Sequence, residues 1–374
     1  MSIILINATA AKTSGALTVL KDCIAQIEQY PMFGKEYHLF TVVDIFHDLK
    51  NVYVHKLNVQ NWLSRILWDN GGLYRWCQKN NLEPDAIISL QNTSTKYKNK
   101  SGLMITQVVY YHQAIPLYMY NGLGINFKLI LYRHFYSFFV NRNNGQTHYV
   151  VQLSYIKELF CRKFKNIPSN RVTVIRTNRP QIDANAITEK DISIRQEIFR
   201  FLYPAASFNY KNHEVLISAL AILKKGHPKI LERINILFTV DKLSNCLMGD
   251  IALNNLDSCI QFIGQVSYTE MLSYYKSADA MLFPSKMESL GYPLLEASCF
   301  GLPIIACDLP YAREVLEGYT NKYFVEVNNP NAWANVIYNY KEYSKAMVDN
   351  MAVSENSWEN FFELVDRLIL EQRT

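Results

Sequence analysis

The stretch Phe283-Pro-Ser-Lys-Met-Glu288-Ser-Leu-Gly291-Tyr-Pro-Leu-Leu-Glu296-Ala-Ser-Cys-Phe-Gly301-Leu-Pro303-Ile-Ile-Ala306 decides the reading of this chain. The apolar runs Ala280 to Phe283 and Pro303 to Ala306 predict two buried strands. Between them lies a loop holding a carboxylate and a glycine, then a helix predicted from Pro293 to Phe300. Proline suits the first helical turn because its missing N–H would be unpaired there, and Gly301-Leu-Pro303 ends the helix. The amides from Gly291 to Leu294, with the positive end of the helix dipole, suit a diphosphate. Glu288 can accept hydrogen bonds from sugar hydroxyls, and Glu296 is placed to take a ribose diol with both oxygens. Lys286, Ser289, Leu290, Tyr292 and Leu294 are candidates to line the same place. Spacing alone does not carry this, since a pair of glutamates is most often a pair of surface carboxylates.

Outward from this stretch the same alternation continues. Strands are predicted at Phe199 to Tyr203, Ile234 to Val240 and Ile260 to Ile263, with helices at Asn212 to Lys225 and Thr269 to Ser277. The first half starts with the apolar run Ser2 to Asn7, the small polar stretch Ala8 to Gly15 and a helix from Ala16 to about Gln29. Tyr37 to Val43, Asp85 to Leu90, Gln107 to Tyr111 and Tyr149 to Gln152 are its further strands. Ile175 to Arg195 is polar, holds Pro180 and reads as a linker. Two α/β domains of the doubly wound, mostly parallel kind follow, facing a cleft with ligands at the carboxyl ends of the strands. The expected boundaries are 1–178 and 179–355, with a final amphipathic helix in 356–374 packing back on the first domain.

A chain of 374 residues suits two such domains. Hydrophobic residues make up 49% and charged residues 19%, which excludes disorder. The net charge of +5 is mild and does not indicate a nucleic-acid protein. Seven cysteines stand scattered with no C-x-x-C pair, so neither a disulfide framework nor a zinc site is legible, in keeping with a reducing cytoplasm. The N-terminus reads as a buried strand and not as a signal peptide. No apolar run approaches the ~20 residues needed to span a bilayer.

The run from Phe283 resembles the Glu-x7-Glu signature of the family-four retaining glycosyltransferases. Gln261-Phe-Ile-Gly264-Gln-Val266, Met271 to Tyr275, Ala278-Asp279-Ala280 and Tyr311-Ala-Arg-Glu314-Val315 follow that family's order. The resemblance implies the GT-B fold, two Rossmann-like domains facing a central cleft. It implies donor contacts from Gly264 and Val266 to the base, and retention at the anomeric carbon. Tyr203-Pro204-Ala205…Tyr210-Lys211-Asn212-His213 looks like the family segment that clamps the donor phosphates, which gives Lys211 that role. Many members carry an arginine five positions earlier, where this chain has Ala206, so Lys286 is the candidate to compensate. Ser14-Gly15-Ala16 stands where the family has a glycine loop after its first strand, placing Gly15 by the donor. Val109-Tyr110-Tyr111-His112-Gln113-Ala114 resembles the family's strand-then-histidine element. It implies that His112 and Gln113 meet the transferred sugar or the acceptor. Gln91 and Asn92, at the end of another strand, are further acceptor candidates, and Val151-Gln152-Leu-Ser154 resembles the last strand of the first domain.

No D-x-D pair occurs anywhere in the chain. The resemblance therefore implies a metal-independent, front-face displacement with no cofactor beyond the nucleotide-sugar substrate, Lys211 and helix amides meeting the leaving group. Glu288, His112 and Lys211 are the expected catalytic residues. The acceptor would be a glycan, lipid-linked in bacterial surface-polysaccharide synthesis. Trp62-Leu-Ser-Arg65-Ile-Leu-Trp68…Tyr74-Arg75-Trp76 and Phe127-Lys128 through Phe138-Phe139 mix aromatic with basic residues, as an interfacial site does. They predict a peripheral position on the inner face of the cytoplasmic membrane. Two other readings stay open: a nucleotide-sugar epimerase of the same fold, and a non-catalytic nucleotide-sugar-binding partner. A dinucleotide oxidoreductase is not indicated, because no G-x-G-x-x-G follows the first strand.

Overall fold

A computed structural model describes the chain except residues 1, 13, 32–33, 60, 100–101, 103, 119–133, 135, 141–145, 178, 190–197, 347–356 and 374. The described residues form two compact units, one from 1–119, 125–178 and 354–374 and the other from 179–353.

Unit one is a seven-stranded sheet in the order β3-β2-β1-β4-β5-β6-β7. Its strands are β1 Ser2–Asn7, β2 Lys35–Thr41, β3 Val52–Lys56, β4 Ala86–Ser89, β5 Thr106–Tyr111, β6 Thr147–Val151 and β7 Val172–Val174. All pairings are parallel, with Ile4 opposite Tyr37 on one side and Ala86 on the other. Side chains alternate across a strand, so Ile4 and Ile6 enter one core with Leu20, Ile24, Ile88 and Val108, while Leu5 enters another with Phe40, Trp68, Leu73 and Ile87. Helix α1 (Ser14–Gln29) covers the first face, and α2 (Trp62–Leu67) and α3 (Leu73–Lys79) accompany the second. Helix α4 (Ser154–Lys163) follows β6.

The last helix, α11 (Ser357–Arg373), belongs to this unit. Trp358 stacks on Tyr110 at 5.3 Å between ring centroids, and Phe362 meets Tyr37 edge-on at 5.9 Å. Burying such side chains stabilises by roughly 1.5–3 kcal/mol each. Polar contacts fix the helix along its length, from Lys35 Nζ to Asp366 at 2.5 Å to Arg373 with Asp85 at 2.6 Å.

Unit two is a six-stranded parallel sheet, order β10-β9-β8-β11-β12-β13. Its strands are β8 Phe199–Tyr203, β9 Ile234–Phe238, β10 Ile260–Phe262, β11 Ala280–Phe283, β12 Ile304–Cys307 and β13 Lys322–Val325. Its helices are α5 His213–Gly226, α6 Asn245–Leu253, α7 Tyr268–Ser277, α8 Tyr292–Ser298, α9 Pro310–Val315 and α10 Pro330–Tyr338. Central strands β11 and β12 are buried throughout, which is why they read as unbroken apolar runs.

Both sheets reverse their direction of growth once, between β1 and β4 in unit one and between β8 and β11 in unit two. Beyond the carboxyl ends of such a neighbouring pair the connecting loops part, and a ligand can enter between them.

The structure corrects the sequence reading in three places. Edge strands β3, β7 and β13 were not predicted. The donor-side helix starts at Tyr292, not Pro293, and stops at Ser298. Gly15 lies within the first turn of α1 and not in the preceding loop. A Cβ there would meet nothing within 4 Å.

Candidate functional site

The switch point of unit two joins the two loops that matter most. Ala280 pairs with Phe201, so the chain leaving β8 and the chain leaving β11 emerge side by side. The first turns through a short 3-10 segment, Asn209–Lys211, and the second carries Ser285 to Gly291. The Lys286 N–H donates to the Tyr210 carbonyl at 2.7 Å, which ties the loops together. Lys211 Nζ then lies 2.5 Å from Glu288 Oε1, with both side chains mostly buried at 14% and 13% exposure. The ammonium also sits 5.5 Å and 5.9 Å from the ring centres of Tyr210 and Phe283. A desolvated pair of this kind is held by its mutual attraction, and each partner alone would be costly to bury.

Residues that sequence reasoning had not singled out for the site hold this pair in place. The Tyr203 hydroxyl donates to the Lys211 carbonyl. Below the Glu288 loop, the Tyr311 hydroxyl donates to the Ser285 carbonyl at 2.6 Å, and Cys307 Sγ reaches the same oxygen at 2.8 Å. Their sequence signals were Tyr203 in the clamp segment and Tyr311 in the family order, neither of them given a role. Asn212 follows Lys211 in the left-handed conformation, φ 58°, and its side-chain amide donates to the Val327 carbonyl at 3.0 Å. Next in the chain, His213 is buried, and burial with the nearby Lys211 lowers its pKa to about 4.

Gly291 caps α8 at φ 79°, a conformation that disfavours any side chain. Pro293, the second helical residue, has no N–H to offer, and the Leu294 N–H donates to the Gly291 carbonyl at 2.9 Å. Leu294 is fully buried. One turn on, Glu296 is 8% exposed and its Oε2 accepts from the Tyr275 hydroxyl at 2.8 Å. Burial raises its pKa to about 7, against the pull of Tyr275. Tyr275 thus takes part of a carboxylate that the sequence reading left wholly to a ligand. Lys286 and Ser289 are half-buried, and Leu290 is buried. Gly264 sits past β10 at φ 73°, where an added Cβ would come within 2.9 Å of Asp241 Oδ1, and the half-buried Val266 follows it. Ala206 is exposed and supplies no cation.

Unit one has a different polar cluster at its own switch point. Asn7 Nδ2 and Gln91 Nε2 both donate to Asp69 Oδ1, at 2.9 Å and 2.7 Å, and the Thr9 hydroxyl donates to Gln91 Oε1 at 2.8 Å. Gln91 is only 2% exposed, so its amide serves this network. Asn92, at φ 66°, accepts from the His112 N–H at 2.6 Å, while its Nδ2 lies 3.3 Å from His112 Nε2. An amide NH2 can only donate, so Nε2 accepts and the neutral ring carries its proton on Nδ1. Burial lowers the pKa of His112 to about 4, which the Tyr110 backbone opposes in part. Nδ1 makes no hydrogen bond of full geometry among the described residues. Gln113 accepts from the Ile115 N–H at 3.3 Å. Asn7 and Asp69 were not predicted, since neither stands in a motif.

The aromatic and basic stretches separate. Trp62, Leu63 and Leu67 are exposed on α2, while Trp68 is buried in the core. Lys128 and Arg133 lie outside the described residues. Among the described residues no helix is long and apolar enough to cross a membrane, and no group of His, Cys, Asp or Glu is placed to hold a metal.

Two parallel Rossmann-like sheets give this chain the GT-B fold. Residues 186–352 match the family model of glycosyl transferases group 1. It is similar to the O-antigen chain mannosyltransferase RfbU of Salmonella typhimurium, 22% identical over 72% of this chain and 71% of the relative. A glycosyltransferase of Methanocaldococcus jannaschii is 29% identical, covering 55% of each chain. Among solved structures, WaaG, a glycosyltransferase involved in lipopolysaccharide biosynthesis, matches with a TM-score of 0.70 at 12% identity over 97% of this chain and 99% of its own. Anabaena HepE in complex with UDP and glucose matches with a TM-score of 0.67 at 16% identity, over 98% and 100%.

Proposed function

We propose that this chain is a retaining hexosyltransferase of the family-four kind. It moves a hexose from a GDP- or UDP-linked donor to a hydroxyl of a glycan acceptor, lipid-linked, in surface-polysaccharide synthesis. The observation that carries the reading is the Lys211–Glu288 pair across the switch point, with the α8 start and Glu296 beside it. Lys211 and the α8 amides take the diphosphate, Lys286 adds a second cation, and Glu296 takes the ribose. Gly264 and Val266 bound the base, and Glu288 holds the sugar without attacking it. The C1–O bond to the diphosphate breaks as the bond to the acceptor oxygen forms on the same face. The departing phosphate oxygen takes the acceptor's proton. No metal or cofactor enters this scheme, in which fixed cations and amides meet the charge of the leaving group. His112 and Asn92 serve the acceptor, His112 through a neutral ring with Nδ1–H available to a hydroxyl.

The Salmonella relative is named for O-antigen mannosyl transfer, and the Anabaena structure holds UDP and glucose. The first supports a polysaccharide product, and the second a nucleotide-sugar donor. Exposed Trp62, Leu63 and Leu67 support docking on the inner face of the cytoplasmic membrane. Changing all three to serine should abolish sedimentation with anionic liposomes, and unchanged sedimentation counts against this face.

A thermal-shift screen against UDP, GDP and their sugars identifies the donor, and acceptor-free hydrolysis of that donor reports catalysis. Stabilisation by a nucleotide sugar together with slow release of the nucleoside diphosphate is expected. The exposed Ala206 favours one rival, a binding partner without activity, and stabilisation with no release at all would favour it. Epimerised donor sugar would instead favour the epimerase.

A further inference from the structure

Unit one carries a polar cavity of about 540 Å³, far along its sheet from His112. Thr106 begins β5, and Gln146 and Arg171 directly precede β6 and β7, so the cavity lies at the amino-terminal ends of these parallel strands. His112 and Asn92 follow the opposite, carboxyl ends. Arg367, Glu371 and Gln372 of α11 form the other wall. Thr106 and Gln372 are engaged with each other, the Thr106 N–H donating to Gln372 Oε1 at 2.8 Å. The other polar lining residues are Arg171, Arg367, His148, Gln146, Asn170 and Glu371.

Neither guanidinium has a hydrogen bond or ion pair among the described residues. Glu371 has a partner of its own. His148 is buried and its Nε2 lies 2.8 Å from Thr173 Oγ1. Burial first, then Arg171, Arg367 and Lys157, lower its pKa to about 4, so both arginines act on one imidazole. Two cations focused on one cavity without a paired carboxylate repel each other until an anion joins them. The planar guanidinium fork fits phosphate oxygens in pairs. The volume exceeds what a bare phosphate needs and falls within the range of small-molecule sites, about 300–1,000 Å³.

We propose that this cavity binds a sugar phosphate, its phosphate between Arg171 and Arg367 and its hydroxyls on Gln146, Asn170 and Glu371. The same phosphate chemistry occurs on anionic lipid headgroups, so the test separates the two. The full chain is titrated by calorimetry with glucose 6-phosphate and with glucose, and mixed separately with phosphatidylglycerol vesicles. Glucose 6-phosphate should bind and glucose should not. The variant Arg171→Gln/Arg367→Gln should bind glucose 6-phosphate at least about tenfold more weakly, with nucleotide binding in unit two unchanged. Should that variant fail to fold, Arg171→Lys and Arg367→Lys keep the charge but lose the fork, and each should weaken binding. Equal affinity in all proteins, no binding by the unchanged chain, or binding to vesicles through these arginines without glucose 6-phosphate binding would overturn the proposal.

Discussion

At the switch point of unit two, the loops after β8 and β11 meet through opposite full charges, Lys211 with Glu288. At that of unit one, the loops after β1, β4 and β5 meet through amides, hydroxyls and a neutral imidazole, with Asp69 the one carboxylate among the bonded groups described above. A charge pair in a desolvated loop can exchange one anion for another with little movement. A network of buried hydrogen bonds around one carboxylate, each partner satisfied, holds its geometry. On the proposed reading, the charged pair of unit two meets the charged donor, and the polar frame of unit one meets an uncharged hydroxyl.

The largest test of this contrast is Glu288→Gln, which keeps the shape and removes the charge. Turnover should fall by about 10²–10³-fold, the scale of losing one electrostatic contact to a reacting centre, with nucleotide affinity almost unchanged. Release of nucleoside diphosphate reads it, and near-normal turnover would remove Glu288 from the chemistry.

Next comes the pH dependence of unit two. Glu296 has a folded pKa raised from 4.5 to about 7 by burial. The folded state therefore holds its proton more tightly, and stability is full below pH 4.5 and declines as pH rises to about 7. The decline is at most roughly 3 kcal/mol for a shift of this size. Urea unfolding across that window should show the slope in the native chain and a flatter profile in Glu296→Gln.

In unit one, Asp69→Leu removes the one oxygen that accepts from both Asn7 and Gln91 and leaves their amides mismatched against an apolar group. A loss of about 1–3 kcal/mol is expected from the mismatched buried groups, read by chemical unfolding, and any loss of activity should only follow the loss of folded protein. A selective loss of turnover with intact stability would put Asp69 in the chemistry and blur the contrast. The smallest effect is that of Gly264→Ala. The left-handed backbone and the approach to Asp241 should cost on the order of 1 kcal/mol, visible as weaker nucleotide binding.

Much of unit two was legible in the sequence, because its central strands are buried on both faces and its loops carry charge and glycine at fixed spacing. Edge strand β3, Val-Tyr-Val-His-Lys, was not, since its mostly exposed residues give no clean apolar signal. The three residues of β7 are too few for any period. Glu288 and Glu296 were found by spacing within a motif, but Tyr275 and Tyr311, which hold Glu296 and the Glu288 loop, stood in the family order with nothing to mark those contacts. The Asp69 network joins the segment of Asn7 and Thr9, the segment of Gln91 and Asp69 itself, and the parallel register of β1 with β4 brings the first two together.

The central claim is that Lys211 receives the donor diphosphate. It is tested most directly by comparing the affinities of a nucleoside diphosphate and its monophosphate, for whichever base binds, in the native chain and in Lys211→Met. The native chain should prefer the diphosphate, and the variant should lose that preference while binding the monophosphate as before. A preference that survives in Lys211→Met would contradict the account.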